Sequence, residues 1–217
     1  MTQLLRNALL LGLALWAVIG SVYIGQPLSG HIVDVHTGRG IADAQVVTYW
    51  SADQTRTWSV GSGGALQIDT ALTDANGTFR FGRWTAWHRW WANLHADVLN
   101  DPIIWVFKKG YLPMWMNNRL TGELALPPKT RWGPLLWSRW QDATLPLAPA
   151  EPYSSEYHQA LDQFESGLEY FVRNANVSLT CGRRRLQPLV DRLAEARGPA
   201  NPLSVVLAGE YMSRCGA

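Results

Sequence analysis

The hydrophobic pattern changes period along the chain. Residues 8–25 form an 18-residue apolar run without a charge, preceded by one cation, Arg6. From 28 to 150 short stretches alternate, broken by Gly, Asn, Asp and Pro, as half-buried strands do. They lie at 28–35, 42–50, 65–73, 78–84, 101–111, 122–126 and 142–150, with a short edge strand around 57–60. About seven strands separated by turns predict an antiparallel sandwich. Within 42–50, Val46, Thr48 and Trp50 fall on one face and Val47 and Tyr49 on the other. Asn76-Gly77 supplies the positive φ of a tight hairpin, which would join 65–73 to 78–84.

Beyond Glu151 the spacing becomes three and four. Tyr157, Leu161, Phe164, Leu168 and Phe171 predict a helix, with Ser154 or Ser155 as its cap. A second helix runs through "RRLQPLVDRLAEARG" to Gly198-Pro199. A third takes Asn201 as N-cap and Pro202 as its first position. The expected organisation is a leader (1–25), a β-rich domain (26–150) and a small helical appendage (151–217).

The leader is close to the minimum length for a membrane span and longer than most signal-peptide cores. Gly20-Ser21 is a candidate cleavage site, so signal peptide and uncleaved anchor both stand. Arg6 and the α-amino group precede the run and no cation soon follows it. That places the N-terminus in the cytoplasm and the rest outside. The expected location is the periplasm, or the inner membrane with the domain outside the cytoplasm. Export would let Cys181 and Cys215 close a disulfide, and two unpaired buried thiols are the alternative.

Composition narrows the function. A net charge of +2, with no basic patch beyond Arg183-Arg184-Arg185, argues against a nucleic-acid partner. At 47% hydrophobic and 17% charged the chain can build a core. Tryptophan is the outlier, with twelve. Trp84, Trp87, Trp90 and Trp91 crowd into "RWTAWHRWWANLH" beside His88 and His95. As a helix, this stretch would put Trp84, Trp87 and Trp91 on one face, with Trp90 at its edge. "RWGPLLWSRW" adds Trp132, Trp137 and Trp140, and Arg83, Arg89, Arg131 and Arg139 are placed to stack on rings. Three readings compete for the four clustered tryptophans. The favoured one is a satellite core, in which the two Trp-rich segments pack together. The others are a sugar- or peptide-binding platform and contact with a membrane surface.

"SGHIVDVHTGRGIADAQVV", then "LTDANGTFRF", then "VFKKGY" together resemble a carboxypeptidase regulatory-like domain. The matching positions are Gly30, Val33, Asp34, Thr37, Gly38, Ile41, the run Ala44-Gln45-Val46, Asp74, Asn76, Gly77, Phe79, Gly110 and Tyr111, all in order. The resemblance covers about 30–149. It implies a mainly β, seven-strand, transthyretin-like sandwich, here with an N-terminal hydrophobic helix and the helical appendage. It also implies a module of exported bacterial proteins that accompanies enzymes without being their catalytic unit. Residues 84–100 depart from the family pattern as a Trp-rich insertion.

Zinc carboxypeptidase chemistry needs His-x-x-Glu, and none of the five histidines has Glu at +3. His31-x-x-Asp34 is the nearest approach, but residues three apart on a strand face opposite ways. His88 and His95 would share a helix face without an identifiable third ligand. Gly-x-Ser-x-Gly is absent, and "GSGG" at 61–64 lacks the lysine of a phosphate loop. The expectation is a non-catalytic envelope binding or scaffolding module without cofactor or metal. Its alternatives are an accessory domain for a separately encoded hydrolase and a carbohydrate-binding module. An envelope protein or glycan would be its partner, with the membrane reached through the N-terminal segment if that is uncleaved.

Overall fold

Residues 44–50 are all buried, because the strand that carries them is covered on both faces. The computed structural model describes residues 3, 6–12, 22–56, 59–87, 96–97, 101–116, 131–132, 135–151, 154–174 and 180–198. Twelve strands lie among them: β1 (Val22–Gly25), β2 (Leu28–Asp34), β3 (Gln45–Arg56), β4 (Ser59–Leu72), β5 (Thr78–Phe81), β6 (Trp84–Trp87), β7 (Ala96–Asp97), β8 (Ile103–Phe107), β9 (Met114–Met116), β10 (Arg131–Trp132), β11 (Leu135–Leu136) and β12 (Ala143–Leu147). Residues 6–12 are helical (α1), and two longer helices follow the strands, α2 (Ser155–Asn174) and α3 (Thr180–Arg197).

The central sheet has the order β4-β3-β8-β9, with β7 paired to the far end of β3. A second sheet, β12-β2-β5, lies against one face of it. Val46, Ile104 and Val106 meet Leu28, Ile32, Phe79, Phe81, Leu145 and Leu147 there. Phe79 and Phe81 point inward with Arg80 exposed between them, as their alternation predicts. The molecule is thus mainly β, with sheets face to face. Two details depart from the antiparallel, seven-strand expectation. β12 runs parallel to β2, with Leu145 opposite Ile32. The larger strand count comes mostly from pieces of two to four residues, too short to show a period in sequence.

"DANG" is not a hairpin turn. β4 pairs with β3 while β5 pairs with β2, so the turn carries the chain from one sheet to the other. Its local geometry is as expected, with Gly77 at φ +77° and the Asp74 carboxylate accepting the amides of Asn76 and Thr78 at 2.9 Å. Gly40 and Gly77 lock this corner together: a Cβ on Gly40 would strike the Asn76 carbonyl, and one on Gly77 the Ile32 carbonyl. The hairpin proper is β3–β4, whose strands run on beyond the expected ends at 50 and 65, to Arg56 and from Ser59.

The other face of the central sheet belongs to the helices. Val47, Tyr49, Ile68, Ile103, Trp105 and Phe107 pack against Tyr157, Leu161, Phe164 and Leu168 of α2 and Leu186, Leu189, Val190 and Leu193 of α3. The segment expected as an appendage is therefore a third layer over the main core. Ser154 caps α2 by accepting the Tyr157 amide at 3.1 Å, and α3 ends at Gly198, whose φ is +73°. Arg197 bridges the two helices, pairing with Asp162 and with the buried Glu165, the latter at 2.6 Å. Lys109–Glu195 at 3.2 Å and Arg192 Nη1 donating to the Asp43 carbonyl at 2.8 Å tie α3 to sheet turns.

Residues 22–25, the end of the expected leader, form β1. Residues 6–12 are helical, with Leu9, Leu10 and Leu11 exposed. The rest of the leader, the strand expected at 122–126 and the third C-terminal helix lie outside the described residues. So does Cys215, and with it the disulfide expected with Cys181. Among the described residues no helix is long and apolar enough to cross a membrane.

Candidate functional site

The third sheet, in the order β10-β11-β1-β6, is built from the end of the leader and the two Trp-rich segments. β1 is antiparallel to β6, with Val22 opposite Trp87 and Gly25 opposite Trp84. It is parallel to β11, with Ile24 opposite Leu135 and Gly25 opposite Leu136. Alternation then divides the side chains between two faces.

The inner face is a packed cluster of Tyr23, Trp84 and Leu136, with Trp50 of β3 and Leu66 of β4. Trp84 meets Trp50 edge-on, ring centres 5.4 Å apart, the arrangement aromatic quadrupoles favour. Gly25 makes room for it, since a Cβ there would overlap the Trp84 indole. The outer face carries Val22, Ile24 and Leu135, each half-buried, with exposed Thr85 and Trp87. Trp137, one residue past β11, continues the outward side of Leu135 by alternation and is exposed as well.

The four candidate tryptophans are therefore not one cluster. Trp84 is core. Trp87 is 58% exposed on the opposite face, because β6 is a strand, on which residues three apart face opposite ways. Trp90 and Trp91 lie outside the described residues, as do His88 and His95. Trp140 also leaves the platform: it is buried in the main sandwich, its Nε1 donating to the Pro102 carbonyl at 2.9 Å. Two of the arginines have other engagements. Arg83 Nη2 donates to Gln26 Oε1 at 3.0 Å, and Arg139 donates its amide to the buried Asp101 carboxylate at 2.7 Å. The outward residues Val22 and Ile24 escaped the sequence reading because the hydrophobic run absorbed them. The alternation of "VYIG" before the Gln26-Pro27 break was the signal available.

The polar residues that invited a chemical reading sit at the other turns. Asp34 Oδ1 accepts the amides of His36 and Thr37 at 2.9 and 2.8 Å, and Tyr111 donates to its Oδ2 at 3.2 Å. The Thr37 amide above all holds the Asp34 carboxyl below its ordinary range. Asp74 is lowered likewise, first by the Thr78 amide and then by that of Asn76. Burial, then the hydrogen bond to Asp34 and its charge, push the Tyr111 phenol up. His31 Nδ1 lies 3.2 Å from Thr78 Oγ1. Thr73 Oγ1 accepts the Ala44 amide at 2.8 Å and donates to the Ile41 carbonyl at 2.6 Å, closing the same corner from inside.

No family model matches the chain, and no curated protein matches it. Among solved structures it is weakly similar to a 9R-lipoxygenase from Cyanothece PCC8801, at 12% identity and a TM-score of 0.29. The match covers 83% of this chain and 27% of that one, so the chain spans about a quarter of the lipoxygenase's length. A likeness of that size carries no argument about fold or activity.

Proposed function

We propose that this protein is an exported module of the carboxypeptidase regulatory-like type, held at the cell envelope, that works by binding or scaffolding and performs no chemistry of its own. The observation that carries the reading is the use made of the turn residues. The carboxylates of Asp34 and Asp74 accept backbone amides at two turns, and Gly40 and Gly77 lock the corner beside them. Residues that resemble the family's pattern serve to bend the chain, which is what a scaffold asks of them. A face carrying Trp87 and Trp137 is left to the outside, the kind of surface that recognition uses.

The test has two parts. Alkaline phosphatase fused after Ala217 is active only beyond the cytoplasmic membrane, so an inactive but intact fusion would remove export from the proposal. The purified full chain should bind isolated envelope material, and Trp87→Ala should weaken that binding without lowering the melting temperature. Turnover of an envelope glycan or peptide by the purified chain would overturn the non-catalytic reading.

A further inference from the structure

We propose that the outward face of the third sheet lies on the membrane, with Trp87 and Trp137 at the level of anionic lipid headgroups and Val22, Ile24 and Leu135 facing the acyl boundary. The inference rests on the reading that the segment before β1 holds the chain to the bilayer.

The first argument is length. Once β1 claims residues 22–25, the apolar run that precedes it shrinks to residues 8–21. Fourteen residues reach only about 21 Å as a helix, against a hydrocarbon core of about 30 Å. A span that is too short is accommodated by thinning the bilayer and by drawing flanking residues into the interface. In sequence the run is followed at once by β1, which begins at Val22. Its sheet is thereby brought to the bilayer surface.

The second argument is the chemistry of the face. Its described side chains are three aliphatic residues, two indoles and one hydroxyl, Thr85. Indoles favour the headgroup level, where one edge is apolar and the other wet. A sugar platform needs convergent polar groups around its rings, and among the described residues of this face only Thr85 offers one. The four strands of the sheet contain no Asp or Glu. The exposed Arg83, whose Nη2 donates to Gln26 Oε1, directly precedes β6. That charge balance complements phosphate-bearing headgroups.

The full chain, carrying Cys181→Ser and Cys215→Ser, would be reconstituted in vesicles of zwitterionic and anionic phospholipid with brominated acyl chains. A small neutral fluorophore would be attached through Thr85→Cys on this face or, as control, through Thr144→Cys, exposed on β12. Burial by the 5–10 Å usual for interfacial elements should quench roughly half or more of the Thr85 label and less than about a tenth of the Thr144 label. Equal quenching at both positions overturns the proposal, as does a Thr85 label left unquenched. A Thr85 label untouched by lipid but shielded on adding cell-wall glycan overturns it in favour of a sugar platform. If the chain does not float with vesicles at all, the tether fails and this inference fails with it. If it floats and only the Thr85 label stays bright, the tether stands and this inference alone is wrong.

Discussion

Asp34 and Asp74 are acidic residues whose worth lies in being ionised. Each carboxylate accepts two amides that a turn would otherwise leave to water, and each is held below the ordinary carboxyl range by them. A group whose pKa falls on folding stabilises the fold above its unfolded value. That contribution is lost as pH drops through the folded value. The prediction is an acid limb of melting temperature against pH that flattens in the double variant Asp34→Asn/Asp74→Asn. The two proteins should converge at the acid end and separate towards neutrality. Parallel curves would mean that the turn carboxylates are not the source. The turns themselves were legible in sequence, because Asp and Gly announce local hydrogen bonding and positive φ. Their partners were not. Nothing in "DANG" says that its Gly77 closes against Ile32 and Gly40, dozens of residues earlier.

At the scale of elements, α2 shows how a weak local choice is offset by packing. Gly167 costs a helix interior about 1 kcal/mol relative to Ala. It lies against Trp105, whose ring stacks on Trp115 and meets Phe164 edge-on at 5.0 Å. A Cβ on Gly167 would come within 2.8 Å of Trp105 Cη2, and a ring held from two other sides has little room to yield. Overpacking of this kind costs about 1–3 kcal/mol. Gly167→Ala should therefore lower the urea midpoint despite its better helix propensity. A raised midpoint would show that α2 can re-seat. The period of α2 was visible in the sequence, and so was its cap. In the Trp-rich stretch Trp84 and Trp87 are three apart, a spacing that would join them on one helix face. The same spacing on a strand separates them, and pairing with β1 decides for the strand.

For the whole molecule, the question is what the C-terminal helices cover. Six large side chains of the central sheet, Val47, Tyr49, Ile68, Ile103, Trp105 and Phe107, are buried beneath them. At about 1.5–3 kcal/mol for each side chain, uncovering the set costs on the order of 10 kcal/mol. That is comparable to the entire stability of a domain. A chain truncated after Ala150 should aggregate or lose its cooperative thermal transition, whereas a soluble fragment with a sharp transition would restore the appendage reading. By itself the sequence determined where the chain turns, which strand residues alternate, and that two amphipathic helices close the described part of the chain. These are local matters, set by backbone sterics and by the period of apolar residues. Only the tertiary structure decided that β3 is buried on both faces, that "DANG" joins two sheets, and that β1 belongs to the fold. Each of those depends on contacts between segments far apart in the chain, and a hydrophobic residue looks the same in sequence whichever partner covers it.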